Sequence, residues 1–265
     1  MYNIKAGEVT MKLKVSLIIF FLTATLLIPL YISAEEKRPQ TPPVKTVQTY
    51  QEDVTGDGQN ETILLKAIPF SEDSAYYQKI WASIEDLHNK KWEIQYGGGY
   101  EPTLQFYDLN HDNVADIYYQ SPTGGSGGLY SYKLNTLKNG INKEIPLPEQ
   151  RYVKGKFIEG FKAVLSLTPG SKPIFIDVKN RSEDYIRLKI YNEKGQLLQP
   201  TSLMIDPIAF FEPVLISKSK GYGLRSYQQI SGAYHADQLG TIETLWYFEK
   251  DRWIILTTKW VPSGQ

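Results

Sequence analysis

The stretch Asp108–Gln120, "DLNHDNVADIYYQ", runs from an acidic loop directly into residues typical of a β-strand. The same arrangement occurs 55 residues earlier in Asp53–Leu65, "DVTGDGQNETILL". Self-similarity at a fixed distance of this size indicates repeated structural units. We therefore predict a fold assembled from β repeats, in which an acidic loop precedes a strand.

The rest of the chain after residue 45 supports this prediction, because nearly every segment alternates with a two-residue period or is rich in β-branched and aromatic residues. Turn signals such as "TGGSGG" and "LKNG" separate the segments, a pattern typical of all-β proteins. Short helices are left open for 76–80 and 206–214. Strands are predicted for 61–68, 79–86, 91–97, 115–121, 128–134, 172–178, 184–191, 241–249 and 252–260.

The spacing of the repeats suggests how many units the chain contains. A weaker third trace begins at Asp177 and carries Arg181 where an acid would be needed. Divisions at four positions give about four units of roughly fifty residues; these positions are Gln51, Pro102, Arg151 and Pro213. We predict an all-β repeat fold, a small or incomplete β-propeller of about four blade-like units, with a β-sandwich as the alternative.

The N-terminal region has the form of a targeting segment. Lys12 and Lys14 precede the apolar run Val15–Tyr31, and Ala34 stands before a polar stretch. This arrangement predicts a signal peptide over residues 1–34 with cleavage after Ala34, or alternatively an uncleaved N-terminal anchor. Residues 35–45, "EEKRPQTPPVK", read as a proline-rich tether, and residues 46–262 as the all-β domain. The expected location is therefore secreted, or the extracellular face of the membrane or cell wall.

Charge and cysteine content limit the possible functions. Residues 1–34 carry three lysines and one glutamate, so the remainder of this net-neutral chain is slightly acidic. Such a surface argues against nucleic-acid binding, and contact with a membrane is expected only through the N-terminal segment. The absence of cysteine excludes disulfides and lipid attachment through a leader cysteine. Stability must come from the core or from bound ions.

The two acidic loops place oxygen-bearing groups at matching positions. A calcium ion takes six to eight oxygen ligands from carboxylates, backbone carbonyls and water. Side chains at positions 1, 3, 5 and 9, with the carbonyl of position 7, provide such a set. The predicted ligands are Asp53, Thr55, Asp57, Gln59 and Glu61 in the first loop, and Asp108, Asn110, Asp112, Val114 and Asp116 in the second. We expect two structural calcium sites.

Other residues of the loops fit the turn. Gly56 and Gly58 supply unusual backbone angles, and Asn113, at the position of Gly58, tolerates a left-handed conformation. His111 is expected to point outward. An EF-hand is excluded, because Leu64 and Tyr119 stand where its twelfth-position glutamate would be and strands follow both loops. An ion-free acidic turn is the simpler alternative for a single loop.

On these two motifs, "DVTGDGQNE" and "DLNHDNVAD", the chain resembles FG-GAP and VCBS repeat proteins, whose Asp-rich calcium loops join strands of integrin-like β-propellers. The resemblance covers about 100 residues and departs from the family pattern at Thr55 and Asn113. It implies a propeller fold in an exported bacterial protein with structural calcium.

No motif predicts an enzyme convincingly. The glycine-rich run 123–128, "TGGSGG", resembles the surroundings of a serine nucleophile, but a strand connection is the simpler interpretation. His235 and Asp237 are close enough in sequence for an acid–base pair, although a structural role is favoured.

We therefore expect a calcium-binding module for an unidentified surface ligand, a polysaccharide or a protein, with 122–128 and 231–240 among the loops that present it. The alternatives are a hydrolase or lyase of cell-wall polymers that uses His235 and Asp237, and a membrane-anchored assembly subunit.

Overall fold

A computed structural model of the chain describes residues 43–150 and 152–264. The predicted signal peptide or anchor and most of the tether lie outside these residues. No helix within them is long and apolar enough to span a membrane. The strands are β1 Lys45–Glu52, β2 Glu61–Pro69, β3 Tyr77–Glu85, β4 Lys91–Tyr96, β5 Thr103–Tyr107, β6 Asp116–Pro122, β7 Tyr130–Thr136, β8 Lys143–Glu144, β9 Lys154–Ile158, β10 Lys162–Ser166, β11 Ile174–Asp177, β12 Met204–Ser217, β13 Gly221–Ser231, β14 Gln238–Glu249 and β15 Arg252–Pro262.

These strands form four antiparallel sheets, each built from strands that are consecutive in the chain. The sheets contain β1–β4, β5–β8, β9–β11 and β12–β15, and none of them closes into a barrel. The all-β prediction and the number of units are confirmed. The second and third sheets begin at Thr103 and Lys154, within three residues of the predicted divisions. The first and last begin earlier than predicted, at Lys45 and Met204.

Burial within β2 shows why the sequence folds in this way. Its nine residues alternate strictly between buried and half-buried positions, with Ile63, Leu65 and Ala67 completely buried. Side chains in a strand point alternately to opposite faces, so one face of the sheet is apolar and must be covered. The first sheet is covered in this way by the second.

Three apolar cores join the sheets in pairs among the described residues. Ile84 and Tyr119 belong to the core between the first and second sheets. Tyr118 and Phe211 belong to the core between the second and fourth sheets, and Phe157 and Ile230 to that between the third and fourth. The sheets are thus connected through their cores in the order first, second, fourth, third, which differs from their order in the chain.

One predicted strand is wrong. Residues 184–191 do not form a strand, because Ser182–Arg187 forms the short helix α1, and this also removes the third repeat. Glu183 and Asp184 in the first turn and Arg187 in the last suit the helix dipole. Conversely, of the two segments left open as helices, 76–80 lies in β3 from its second residue on, and 206–214 lies in β12.

Candidate metal centre

The first acidic loop connects β1 and β2 and closes around the carboxylate of Glu61. Glu61 Oε2 accepts hydrogen bonds from the amides of Val54 and Thr55 at 2.9 and 3.2 Å, and Oε1 accepts one from Thr55 Oγ1 at 3.1 Å. Glu61 is 1% exposed. Burial raises the pKa of Glu61, partly offset by these donors. The loop therefore surrounds a buried carboxylate with neutral donors.

The remaining two carboxylates shape the turn itself. Asp53 accepts the amides of Gly56 at 2.7 Å and Gly58 at 2.9 Å, and Asp57 accepts the amide of Gln59 at 2.8 Å. Both glycines are left-handed, with φ of 77° and 87°. A side chain would disfavour this backbone conformation, which explains the glycines.

The first loop brings the carboxylates of Asp53, Asp57 and Glu61 close together. Asp53, Asp57 and Glu61 each offer an oxygen, and these atoms all lie within 4.8 Å of one another. Calcium–oxygen distances of about 2.3–2.6 Å allow oxygens up to roughly 5 Å apart to contact the same ion. A carboxylate oxygen that already accepts one hydrogen bond keeps a second lone pair. The donor set therefore fits a hard cation such as calcium.

The second acidic loop, between β5 and β6, repeats these contacts at equivalent positions. Asp116 accepts the amides of Leu109 and Asn110 at 2.9 and 3.0 Å, as Glu61 does in the first loop. Asp112 accepts the amide of Val114 at 3.0 Å, as Asp57 does with Gln59. Asp108 Oδ2 accepts the amide of Asn113 at 3.0 Å. The two loops share these hydrogen bonds but differ at one position, since Asp108 Oδ1 accepts the amide of Asp112 where Asp53 Oδ1 accepts that of Gly56.

Backbone angles extend this correspondence. His111 and Asn113 have φ of 62° and 66°, at the positions that Gly56 and Gly58 occupy in the first loop. The left-handed conformation predicted for Asn113 is confirmed. His111 adopts it as well, and histidine, like asparagine, is enriched among non-glycine residues with positive φ.

The electrostatics of the two loops differ. Asn110 Nδ2 donates to Asp112 at 3.0 Å and to Asp116 at 3.1 Å, and Lys138 Nζ lies 3.7 Å from Asp112 Oδ1. Among the described residues, the carboxylates of Asp108, Asp112 and Asp116 do not all come within 4.8 Å of one another, as those of the first loop do. Burial, and then the charges of Asp112 and Asp108, raise the pKa of Asp116 to about 7. The second loop thus holds nitrogen donors among its carboxylates.

The two loops lie against each other. A Cβ on Gly56 would stand 2.5 Å from Val114 Cγ2. A 3-10 turn at Lys138–Gly140 contacts both loops, because the amide of Asn139 donates to the carbonyl of Thr55 at 2.9 Å while Lys138 binds Asp112. This cluster of two loops and one turn fastens the first sheet to the second.

His111 does not point freely outward as predicted. Its ring stacks on Tyr247 with centroids 4.4 Å apart, and burial lowers its pKa. Tyr247 lies in β14, so the second loop also contacts the fourth sheet.

His235 and Asp237 are not brought together as a reactive pair. Asp237 accepts hydrogen bonds from Tyr185 Oη at 2.7 Å and the Ala233 amide at 2.8 Å, and forms an ion pair with Arg181. His235 Nδ1 instead lies 3.0 Å from Asp206 Oδ2. Asp237 therefore ties α1 and the preceding 3-10 turn Lys179–Arg181 to the loop between β13 and β14.

The glycine-rich run is a connection between β6 and β7, as predicted, and it lies beside the loop that carries His235. A Cβ on Gly127 would stand 3.6 Å from His235 Nε2, and one on Gly124 would meet the ring of Tyr100. The two loops expected to present a ligand surface are thus neighbours.

Comparison with known proteins places the chain near one family. Residues 151–261, which span the third and fourth sheets, match the family described as "YybI C-terminal domain". The chain is also 27% identical over 201 residues to "Uncharacterized protein YybI" of Bacillus subtilis (strain 168), covering 73% of this chain and 76% of that relative. No solved structure matches.

These findings overturn the FG-GAP and VCBS assignment. The chain matches no such repeat family, and the family that it does match covers the two sheets without acidic loops. The prediction was wrong because nine residues rich in Asp, Asn and Gly describe a local turn geometry, and unrelated folds can contain the same turn.

Proposed function

We propose that the protein is a calcium-stabilised β-sheet module that binds a ligand outside the cell membrane. The observation that carries this proposal is the approach of Asp53, Asp57 and Glu61 oxygens to within 4.8 Å of one another. Three carboxylates so close repel one another unless a cation or a proton neutralises them. A divalent cation neutralises them without any change in the turn.

We restrict the calcium site to the first loop. In the second loop the side-chain NH2 group of Asn110 and the ammonium group of Lys138 already face the carboxylates. A metal ion would repel both groups. The sequence prediction of two calcium sites thereby becomes a proposal of one calcium site and one internally neutralised loop.

An exterior location suits such a site. A ligand that binds only the folded state stabilises it by about 4 kcal/mol when its concentration is a thousand times the dissociation constant. A site of micromolar affinity therefore contributes fully at the millimolar calcium expected outside a cell, and this chain has no disulfides to take that role. Recovery of a mature protein that begins at Glu35 would support export.

The ligand surface that we propose is formed by the neighbouring loops 122–128 and 231–237. Thr123 to Ser126 are exposed, and Tyr100 and Tyr234 lie at the two sides, with Tyr234 40% exposed. Aromatic rings beside polar groups provide contacts suited to sugars. Co-sedimentation with cell-wall polysaccharide, lost when Tyr100 and Tyr234 are both replaced by alanine, tests this assignment.

For the architecture, we propose an open, incomplete series of blade-like sheets. Support comes from the construction of each sheet from consecutive strands, as in a propeller blade, and from cores that link the sheets one to the next.

Isothermal titration calorimetry tests the calcium site directly. We expect one calcium ion per chain in the wild type and no binding in Asp57→Asn. The asparagine oxygen can still accept the hydrogen bond from the Gln59 amide, so the turn should be preserved. The matched control is Asp86→Asn, since Asp86 also caps backbone amides in a turn, between β3 and β4. Equal calcium binding by both variants would refute the assignment.

A further inference from the structure

One face of the third sheet is open to solvent. Phe157, Ala163 and Leu165 point from β9 and β10 into the core shared with the fourth sheet, where they are at most 1% exposed. Because side chains in a strand point alternately to opposite faces, the residues between them point away from that core. The strand register places on this outer face Lys154, Lys156 and Ile158 of β9, Lys162, Val164 and Ser166 of β10, and Phe175 and Asp177 of β11. The outer face therefore combines lysines with apolar side chains.

The middle of the outer face carries an exposed aromatic ring. Lys156, Val164 and Phe175 are cross-strand neighbours in one row. Phe175 is 65% exposed, although a phenylalanine gains free energy when its ring leaves water. Single exposed apolar side chains are common, but this ring lies beside a valine and a lysine. The combination suits the boundary between the head groups and the acyl chains of a lipid layer.

The lysines of the outer face are available to an anionic partner. Within residues 43–150 and 152–264, Lys154, Lys156 and Lys162 form no ion pair. Asp177 is the acidic residue of this face; it stands opposite Lys162 in the register, and its Oδ1 accepts the amide of Lys179 at 2.8 Å. Three lysines and one aspartate leave the outer face positively charged, so it attracts anions.

A cavity of about 460 Å³ opens on the β9 side of the outer face. Lys154 and Lys156 line it from β9, and Leu203 and Ile205 line it from the chain that leads into β12. This chain is held against β9, because the amide of Leu203 donates to the carbonyl of Gly155 at 3.0 Å. Two ammonium groups next to apolar side chains fit a phosphate that is attached to an acyl chain.

We propose that the outer face of the third sheet binds an anionic phospholipid surface, with one lipid phosphate held between Lys154 and Lys156. The adjoining acyl chain lies on Leu203 and Ile205, and Phe175 enters the layer of head groups. The apolar side chains favour a lipid over a soluble polyanion, because a polyanion offers no hydrocarbon to cover them.

This surface goes beyond the proposed binding role. It belongs neither to the acidic loops nor to the loops 122–128 and 231–237, so it depends on neither calcium nor the sugar-binding surface. It also adds a second membrane contact to the one expected from the N-terminal segment.

Sedimentation with lipid vesicles tests the proposal on residues 35–265. Residues 42–265 form a compact unit by themselves, and the fragment lacks the apolar run Val15–Tyr31, so any membrane contact must come from the folded part. We expect binding to vesicles of phosphatidylcholine mixed with phosphatidylglycerol, and binding at least about tenfold weaker to phosphatidylcholine alone. Rising salt concentration should weaken the binding, because salt screens the attraction between exposed charges.

The lysines are tested by the double variant Lys154→Gln/Lys156→Gln. Its binding to the mixed vesicles should be about twentyfold weaker, because each lysine near an anionic membrane contributes about fivefold. The matched control is Lys45→Gln/Lys79→Gln, which removes two exposed lysines of the first sheet. It changes the net charge equally and should bind as the wild type does.

The aromatic ring is tested by Phe175→Ala, which should weaken binding about tenfold because less apolar surface enters the lipid. Phe70→Ala is the control. Phe70 is also exposed, at 68%, but it lies near Glu72 and Asp73 in the turn between β2 and β3, where negative charge repels the same vesicles. Its replacement should leave binding unchanged.

Three results would overturn the proposal. The first is equal binding, or no binding, to the two kinds of vesicle. The second is wild-type binding by Lys154→Gln/Lys156→Gln. The third is unchanged binding by Phe175→Ala together with equally tight binding of soluble polyphosphate, which would assign the face to a polyanion. Circular dichroism establishes that each variant is folded, and calorimetric calcium binding is read separately, so failure of this surface leaves the calcium proposal intact.

Discussion

Val114 of the second acidic loop packs directly on Gly56 of the first, leaving no space for a Cβ there. The contact lies between two sheets that also share an apolar core. The two loops therefore act as one unit, in which a change at either loop is felt by the other.

Replacement of Gly56 by alanine should destabilise the fold more than replacement of Gly58. Both glycines have positive φ, but the new Cβ meets Val114 at 2.5 Å in one case and nothing within 4 Å in the other. We expect losses on the order of 3 kcal/mol for Gly56→Ala and 1 kcal/mol for Gly58→Ala in urea unfolding. Equal losses would mean that the contact between the loops contributes nothing.

A second calcium site should be obtainable in the second loop. Asn110→Asp removes the amide donor and adds a carboxylate, and Lys138→Gln removes the ammonium group beside Asp112. The double variant should bind two calcium ions by calorimetry, against one for the wild type. Lys138→Gln alone should cost less than about 1 kcal/mol, because the ion pair is partly exposed. Two ions bound by the wild type would show that Lys138 does not neutralise the loop.

Asp116 should give the calcium-free protein an unusual dependence on pH. Its pKa is about 7 in the folded state, whereas an unfolded aspartate titrates near about 3.9. Between these values the folded state binds a proton that the unfolded state lacks, so the free energy of unfolding falls as pH rises from about 4 to 7. Each unit of pKa difference corresponds to about 1.4 kcal/mol.

The Asp116→Asn variant isolates this contribution. The difference in unfolding free energy between wild type and variant, measured in chelator at pH 5 and pH 7.5, should favour the wild type more at pH 5. A difference that is independent of pH would show that Asp116 titrates normally.

Asp237 should prove essential for folding. Its side chain is 4% exposed and pairs with Arg181, so Asp237→Ala leaves a charged group and the Tyr185 hydroxyl without their partner. We expect a loss of about 3–5 kcal/mol in urea unfolding. Asp184→Ala, which removes the nearby exposed ion pair to Arg187, is the control and should change stability little. A mild effect of Asp237→Ala would argue for a functional role instead.

Much of the local architecture was predictable because it depends on short-range chemistry. The alternation of apolar residues determines the strand β2, and the Asp, Asn and Gly residues of both loops determine the backbone conformation of each turn. The four sheets follow from the spacing of the turns. Helix α1 was missed because residues 184–191 also alternate between polar and apolar residues, and burial of Tyr185 against the third and fourth sheets decides the outcome.

Contacts between distant segments left no signal in the sequence. Lys138 neutralises a loop 26 residues away, and His235 takes Asp206 as its partner although Asp237 is two residues from it. The packing order of the sheets has the same cause, since long-range core contacts place the fourth sheet between the second and the third.

We propose that calcium held by Asp53, Asp57 and Glu61 stabilises the fold. Urea unfolding of residues 35–265 in 2 mM calcium and in chelator measures this stabilisation. With a dissociation constant in the micromolar range, calcium should raise the free energy of unfolding by about 4 kcal/mol, and Asp57→Asn should abolish this gain. Identical unfolding curves in calcium and in chelator would show that no calcium ion stabilises the fold.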